Sequence, residues 1–259
     1  MIKEITRFED SCVFEGMVSI RSIINGMDSG VNTRRLITVF YDVEKSGKNL
    51  KTIRYLEAVS SKYGFTVEAL SADEIDKMAI GSSHGGIIAL ATDRDFEELS
   101  ENTSLPDNGF FAIIDGIEDP YNFGYSLRSL YACGCDGIIL PERNWMSAAG
   151  VVCRSSAGAS ELFKIFKARD TVDAVKFFKS RNYKTVCAHE ETENLLGECE
   201  LKRPLLLIVG GEKRGISEKV VSLADLKVRI DYAREFRASL SAASATTMFA
   251  YEIMRQNKR

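Results

Sequence analysis

The chain of 259 residues has only two histidines, His84 and His189, too few for most histidine-based metal sites. None of its six cysteines, at positions 12, 133, 135, 153, 187 and 199, forms a Cys-x-x-Cys pair, which removes zinc ribbons and thioredoxin-type redox centres. No metal is expected, and the cysteines read as buried free thiols. Apolar runs are short. None approaches the ~20 residues of a membrane helix, and the longest, such as 204–210, are strand-sized. The first ten residues carry charge throughout and lack the apolar core of a signal peptide, so a soluble cytoplasmic protein is expected. An excess of positive charge is also missing. The 34 Lys+Arg against 37 Asp+Glu leave a net charge of −3, and composition alone gives no sign of a nucleic-acid partner.

What is present suits a folded globular chain. Hydrophobic residues make up 45% and charged residues 27%, which supports a real core and excludes disordered and fibrous architectures. The length allows one large domain or two modest ones. A polar stretch at 93–108 reads as a short acidic helix followed by a linker. Charge changes sign across it: residues 1–107 hold 12 Lys+Arg and 18 Asp+Glu, whereas 108–259 hold 22 and 19. That asymmetry places a domain boundary near 105, giving domains 1–105 and 106–259.

The first domain mixes a helical pattern at 17–26, a strand at 36–41, an amphipathic helix at 50–63 and strands at 66–70 and 87–91. It reads as a small α/β domain. The second alternates more regularly. Continuous apolar strands at 110–115, 137–140, 185–188, 205–209 and 227–230 are separated by helices at 126–133, near Ser147, at 171–180 and at 239–256. Such strands predict a mostly parallel sheet covered on both faces. Ligands then bind where loops leave the carboxyl ends of the strands.

Three loops carry candidate chemistry. Gly210-Gly-Glu-Lys-Arg-Gly-Ile-Ser217 nearly matches a P-loop, but Ile216 stands where the phosphate-holding lysine belongs. The dinucleotide fingerprint also fails, because the chain contains no Gly-x-Gly. A Gly-rich turn remains, which lets a ligand approach the backbone closely while Glu212 and Arg214 project from it. In the second loop, Asp119-Pro120 marks a turn, and Asn122 and Gly124 stand at a helix entrance. Arg128 follows six residues after Asn122, about 1.7 helical turns on, an arrangement expected to place both on one side. The third opens the last helix, with Ser239 fitting an N-cap ahead of a run of small side chains.

Together and in this order, Asp119-Pro-x-Asn-x-Gly-x-x-x-Arg128, Ser155-Ser-Ala-Gly-Ala159, Val209-Gly-Gly-Glu-x-x-Gly-Ile-Ser217 and Ser239-Leu-x-x-x-x-Ala245 resemble the SpoU (TrmH-like) branch of the SPOUT methyltransferases. Phe14-Glu-Gly16 and His84-Gly-Gly-Ile-Ile-Ala-Leu90 are similar to the opening and closing signatures of that family's accessory substrate-binding domain. The resemblance implies an L30e-like amino-terminal domain and a SPOUT domain whose chain forms a deep trefoil knot, a rare exception to the no-knot rule. It also implies a homodimer with the active site near its interface. The implied activity is methylation of a ribose 2′-hydroxyl in ribosomal or transfer RNA, with S-adenosylmethionine as cofactor.

Residue by residue, the resemblance assigns the cofactor to Ala188, His189, Val209, Gly210, Gly211, Gly215, Ile230, Ser239, Leu240 and Ala245. The reaction falls to Asn122, Arg128, Glu212, Ser239 and Ser241, and RNA contacts to Arg34, Arg35, His84 and Arg128, with a structural role as the alternative for both His84 and His189. Arg128 matches an arginine proposed in the family as the base. A guanidinium keeps its proton in proteins, so a phosphate contact and stabilisation of the developing alkoxide are expected instead. One position departs from the pattern: Ser241 stands where the family has asparagine. That departure keeps open a catalytically impaired RNA-binding protein on the same scaffold. A nucleotide-binding α/β enzyme is the other alternative. Residues 31–62 gather Arg34, Arg35, Lys45, Lys48, Lys51, Arg54 and Lys62 against Asp42, Glu44 and Glu57, which predicts a local basic path for RNA leading towards Arg128.

Overall fold

The computed structural model describes residues 12–82, 84–141, 148–236 and 238–258; the charged amino terminus, Ser147 and Arg237 lie outside them. The first elements in chain order are β1 (Val13–Glu15), α1 (Gly16–Asp28), β2 (Leu36–Asp42), α2 (Ser46–Tyr63), β3 (Thr66–Leu70), α3 (Ala72–Met78) and β4 (Ile87–Ala91). There follow β5 (Glu97–Glu98), β6 (Phe110–Asp115), α4 (Pro120–Ala132), β7 (Gly137–Pro141), α5 (Ala149–Ser155), β8 (Lys164–Ala168) and α6 (Thr171–Ser180). The chain closes with β9 (Lys184–Ala188), β10 (Leu205–Gly210), α7 (Glu218–Leu223), β11 (Leu226–Val228) and α8 (Ala242–Gln256). These form two compact units, 12–95 with 148–162, and 96–141 with 163–258. The division is therefore not one cut near 105, because α5 and the turn after it belong with the first unit.

In the first unit a four-stranded sheet runs β1-β4-β2-β3, with β2 and β3 parallel and the other pairs antiparallel. Phe14, Ile20, Ile23, Leu36, Val39 and Leu56 fill its core, and Cys153 of α5 is buried among them. Two ion pairs hold the 148–162 segment there. Arg154 pairs with the buried Glu15, whose other oxygen accepts the Ile80 and Gly81 amides. Arg34 Nε lies 3.1 Å from Glu161 Oε2, and that oxygen accepts a second bond from Asn32 Nδ2 at 2.5 Å. The Ser155–Ala159 motif is the turn that ends α5. Gly158 takes φ +85°, and an added Cβ there would meet Ser22 Oγ of α1 at 1.8 Å. Glycine is required for that approach, so the motif's role is to pack the turn against α1.

The second unit carries a seven-stranded sheet in the order β11-β9-β10-β6-β7-β8-β5, parallel at every pairing. Strands β6 and β7 are buried along their whole length, as is β10 up to Val209, as expected for continuous Ile, Leu, Val and Phe runs covered on both faces. Phe111, Phe178 and Tyr183 pack one face, with ring centroids 5.1–5.8 Å apart. Asp119 caps α4 by accepting the Tyr121 and Asn122 amides, with Pro120 in the first helical position, where a proline loses no hydrogen bond. Two expectations are corrected here. The short acidic helix expected within 93–108 is absent; Glu97 and Glu98 form a short edge strand beside Phe166 and Lys167, a place where charged residues discourage further pairing. Strand β11 stops at Val228, because Arg229 pairs with Asn194 and Leu196 of the β9–β10 connection instead.

No disulfide joins the six cysteines, and Cys12, Cys133 and Cys199 are only partly buried. Burial pushes the thiols of Cys135, Cys153 and Cys187 up, the last to about 12. They stay protonated at neutral pH and offer no thiolate nucleophile. Among the described residues no group of three or more His, Cys, Asp or Glu is arranged to hold a metal, and no helix is long and apolar enough to cross a membrane.

Candidate functional site

In a parallel sheet every strand ends on the same edge, and ligands gather where the strand order reverses. Here β6 is followed by β7 and β8 on one side, and the chain then returns to place β10 and β9 on the other. The loops after β6, β9, β10 and β11 therefore open along one edge at this reversal. Those after β9, β10 and β11, with the start of α8, enclose a pocket of about 650 Å³, within the usual range for a small-molecule site. All ten residues assigned to the cofactor line it: Ala188, His189, Val209, Gly210, Gly211, Gly215, Ile230, Ser239, Leu240 and Ala245. Glycine and small residues among these ten leave room for a ligand against the backbone.

The Gly-rich loop is tight for a reason internal to the fold. Gly211 donates to the Asp115 carbonyl at 2.6 Å, and Gly215 donates back to Gly211 at 2.9 Å. A Cβ at Gly211 would sit 2.1 Å from the Gly116 carbonyl oxygen, and one at Gly210 would sit 2.6 Å from the Gly215 backbone. Both glycines are thus needed where β10 and β6 loops touch. With these amides engaged by backbone carbonyls, the loop does not form the anion cradle of a P-loop.

Glu212 joins three of the sequence motifs. Its Oε1 accepts from Asn122 Nδ2 at 3.0 Å and from the Ala242 amide, the first residue of α8, at 3.2 Å. A carboxylate only accepts, so the Asn122 amide nitrogen must face it and the Asn122 carbonyl oxygen is turned elsewhere. A small recess of about 90 Å³ lies beside this bond, lined by Gly116, Asp119, Asn122, Glu212, Lys213 and Ala242. Glu212 and Ala242 line both cavities.

Arg128 is exposed and makes no ion pair or hydrogen bond among the described residues. Because α4 already starts at Pro120, six residues of helix separate Asn122 from Arg128, which turns them about 120° apart. They do not share one face as expected. Arg128 instead shares a stripe with the exposed Tyr121 and Tyr125 at i, i+4, i+7 spacing.

The cap of α8 is Ser241, not Ser239. Ser241 Oγ accepts the Ser244 amide at 3.2 Å, while Ser239 is exposed on the pocket wall two residues earlier. Serine and asparagine cap helices almost equally well, so the departure at 241 preserves what the position does for the helix. Ser241→Asn is expected to leave the stability of α8 within a few tenths of a kcal/mol, and Ser241→Ala to lower it by about 1 kcal/mol, measured by denaturant unfolding.

Two of the residues assigned to RNA are corrected. Arg34 is buried, bonded to Glu161 and the Thr92 carbonyl, and stacked 4.6 Å over the Phe14 ring; it cannot reach a phosphate. His84 is buried too. Its Nδ1 accepts the Gly86 amide at 3.2 Å, so Nε2 carries the proton and points at Asp76, 3.2 Å away. It holds the turn into β4. Of the basic set, Lys45 is paired with Asp42 and Lys62 with Asp28. Arg35, Lys48, Lys51 and Arg54 remain exposed without acidic partners among the described residues.

Several pocket residues were missed from sequence: Glu190, Glu191, Asp231, Tyr232 and Phe236 line it as well. A signal existed for the last two, since aromatics in the polar 229–241 loop have no core to fill.

Residues 109–251 match the model of the SpoU rRNA Methylase family. The chain is 28% identical over 202 residues to the 23S rRNA (guanosine-2′-O-)-methyltransferase RlmB of Shewanella oneidensis, covering 76% of this chain and 80% of that protein. Its fold is similar to the AdoMet-bound rRNA methyltransferase of Sinorhizobium meliloti, with a TM-score of 0.77, 20% identity, and 96% and 88% of the two chains covered. It is also similar to the SpoU methyltransferase AviRb of Streptomyces viridochromogenes in complex with AdoMet, with a TM-score of 0.73, 20% identity, and 94% and 89% covered. With the family match spanning more than half of its length, the chain belongs to the SpoU rRNA Methylase family.

Proposed function

We propose that the protein methylates a ribose 2′-hydroxyl in structured RNA, ribosomal or transfer, using S-adenosylmethionine. The observation that carries this reading is Glu212 tying Asn122 to the first amide of α8 beside a pocket of cofactor size. The pocket's chemistry fits the cofactor. Val209, Ile230, Leu240 and Ala245 supply apolar walls for an adenosine, and the carboxylates of Glu190, Glu191 and Asp231 suit a ligand with cationic groups. When bound, the cofactor supplies an electrophilic methyl group on a sulfonium.

The chain's own residues do the rest by position and charge. Asn122, fixed by Glu212, turns its carbonyl oxygen outwards to accept from and orient the ribose hydroxyl. Arg128, a cation like every guanidinium, would bind a phosphate and stabilise negative charge growing on the ribose oxygen as the hydroxyl proton passes to solvent water, the oxygen–methyl bond forms and the methyl–sulfur bond breaks. Alignment of oxygen, methyl and sulfur supplies much of the acceleration in such a displacement. Ser241 holds the start of α8, and with it the Ala242 amide that Glu212 requires. Calorimetry tests the cofactor assignment: binding of S-adenosylmethionine and its product in preference to ATP and NAD is expected, and tighter binding of either nucleotide would overturn it.

The first unit, L30e-like in this reading, would add affinity for RNA through the exposed Arg35, Lys48, Lys51 and Arg54. The second would be knotted, the 229–241 segment passing through the β9–β10 connection before α8. In support, that connection bonds Arg229 through Asn194 and Leu196, and bonds the end of α8 through Leu201 and Arg203. The protein would act in the cytoplasm as a homodimer through the face that exposes Tyr121 and Tyr125 of α4 and Met248 and Tyr251 of α8. Sedimentation equilibrium is expected to give a dimer, and Tyr125→Glu with Tyr251→Glu a monomer; a monomeric parent protein would refute this interface.

A further inference from the structure

The reaction requires one nucleotide to present its ribose next to the cofactor pocket, and the pocket rim carries a surface suited to its base. The 229–241 loop holds Tyr232 and Phe236, both on the pocket wall. Phe236 is 59% exposed, against the usual burial of phenylalanine. Its ring is nonetheless braced. The Tyr232 and Phe236 centroids lie 6.1 Å apart with planes at 65°, an edge-to-face pair in which the Phe236 side chain stays largely exposed. The Tyr232 hydroxyl accepts the Leu240 amide at 3.2 Å, which anchors the pair one residue before the Ser241 cap of α8. Arg214 on the same pocket wall and Arg234 in the same loop are exposed. An exposed aromatic ring at a cavity mouth, with Arg214 on the wall and Arg234 in the loop beside the carboxylates of Asp231, Glu190 and Glu191, supplies the stacking component of single-strand sites, where a ring stacks on a base and cations track phosphates.

We propose that Phe236 is the stacking platform for the base of the nucleotide being methylated, with Tyr232 as its brace. This rests on the RNA methyltransferase reading above. Stacking reads the flat face that every base shares, so the platform selects an unstacked nucleotide in a loop or bulge over one inside a duplex.

The test uses protein loaded with S-adenosylhomocysteine and a short single-stranded oligoribonucleotide carrying 2-aminopurine, whose fluorescence is quenched on stacking. The parent protein is expected to quench the single strand and not the same label in a duplex. Phe236→Ala is expected to weaken quenching-detected binding by at least about fivefold, the low end for one base–aromatic stack, and Phe236→Trp to restore it. Because Phe236 also lines the cofactor pocket, affinity for S-adenosylhomocysteine is read by calorimetry for every variant, and RNA binding is expected to fall by more than cofactor affinity does. Unchanged quenching by Phe236→Ala would overturn the proposal, as would a parallel fall in S-adenosylhomocysteine affinity, which would make Phe236 a cover for the cofactor. Failure of the parent protein to bind S-adenosylhomocysteine would overturn both the proposal and the reading beneath it.

Discussion

Replacing Arg128 by alanine is expected to slow single-turnover methyl transfer by about 10²–10³-fold, the range for removing one preorganised charge-stabilising donor, while S-adenosylmethionine binding stays within about twofold. The geometry makes the two readouts separable. Arg128 lies on the exposed stripe of α4, engages no partner among the described residues, and is absent from the pocket lining. Its removal leaves the cofactor walls intact and opens no gap in the core. Arg128→Lys keeps the charge but loses the planar fork. It is expected to recover at most part of the rate, because a point charge cannot bridge a phosphate and the ribose oxygen together. Full activity in Arg128→Lys would remove any role that depends on guanidinium geometry, and full activity in Arg128→Ala would remove the residue from the reaction.

The largest expected effect on stability lies elsewhere, at Glu161. This carboxylate is buried and accepts from Arg34, Asn32 and Ser160. Arg94 lies in the same cluster, donating to the Ser160 and Val31 carbonyls. Burial pushes the Arg94 guanidinium down to about 10, with Glu161 acting the other way; it still carries its charge at neutral pH. Glu161→Ala would leave Arg34 buried without its counter-charge, a change that costs about 3–5 kcal/mol. Hydrogen exchange of the α1 and β2 amides, which enclose this core, is expected to speed up by about 10² or more, the rate equivalent of that energy. Glu161→Gln retains an acceptor and should fall between. Unchanged protection in Glu161→Ala would mean that the pair does not hold 148–162 against the first unit.

That pair also marks where reading from sequence stops. The parallel sheet was legible because Phe110–Asp115 and Leu205–Gly210 are continuous apolar runs of strand length, a pattern with few alternatives once helices alternate with them. The pocket was legible because Gly210, Gly211 and Gly215 follow a strand. Even there the reason was incomplete: Gly211 is glycine because the Gly116 carbonyl presses against it, a contact between loops that lie far apart in sequence. Arg34 read as a surface cation because nothing local reveals that Glu161, 127 residues away, will bury it. For His84 a structural role and an RNA contact were both open, and its Asp76 partner, one acid among many in a polar segment, shows the structural one. Ser239 and Ser241 satisfy the same local capping pattern, and only tertiary placement of α8 chooses the second. The short β5 strand is specified by its neighbour β8, not by Glu97 and Glu98 themselves.

The central claim, transfer of a methyl group to a ribose oxygen, is tested most directly by one labelling measurement. Ribosomal and transfer RNA purified from cells lacking the protein would be incubated with it and S-adenosylmethionine labelled in the methyl group, then hydrolysed with alkali. A 2′-O-methyl group blocks attack on the neighbouring phosphodiester, so the label is predicted in an alkali-resistant dinucleotide. Label released in mononucleotides, or no incorporation into either RNA, would contradict it.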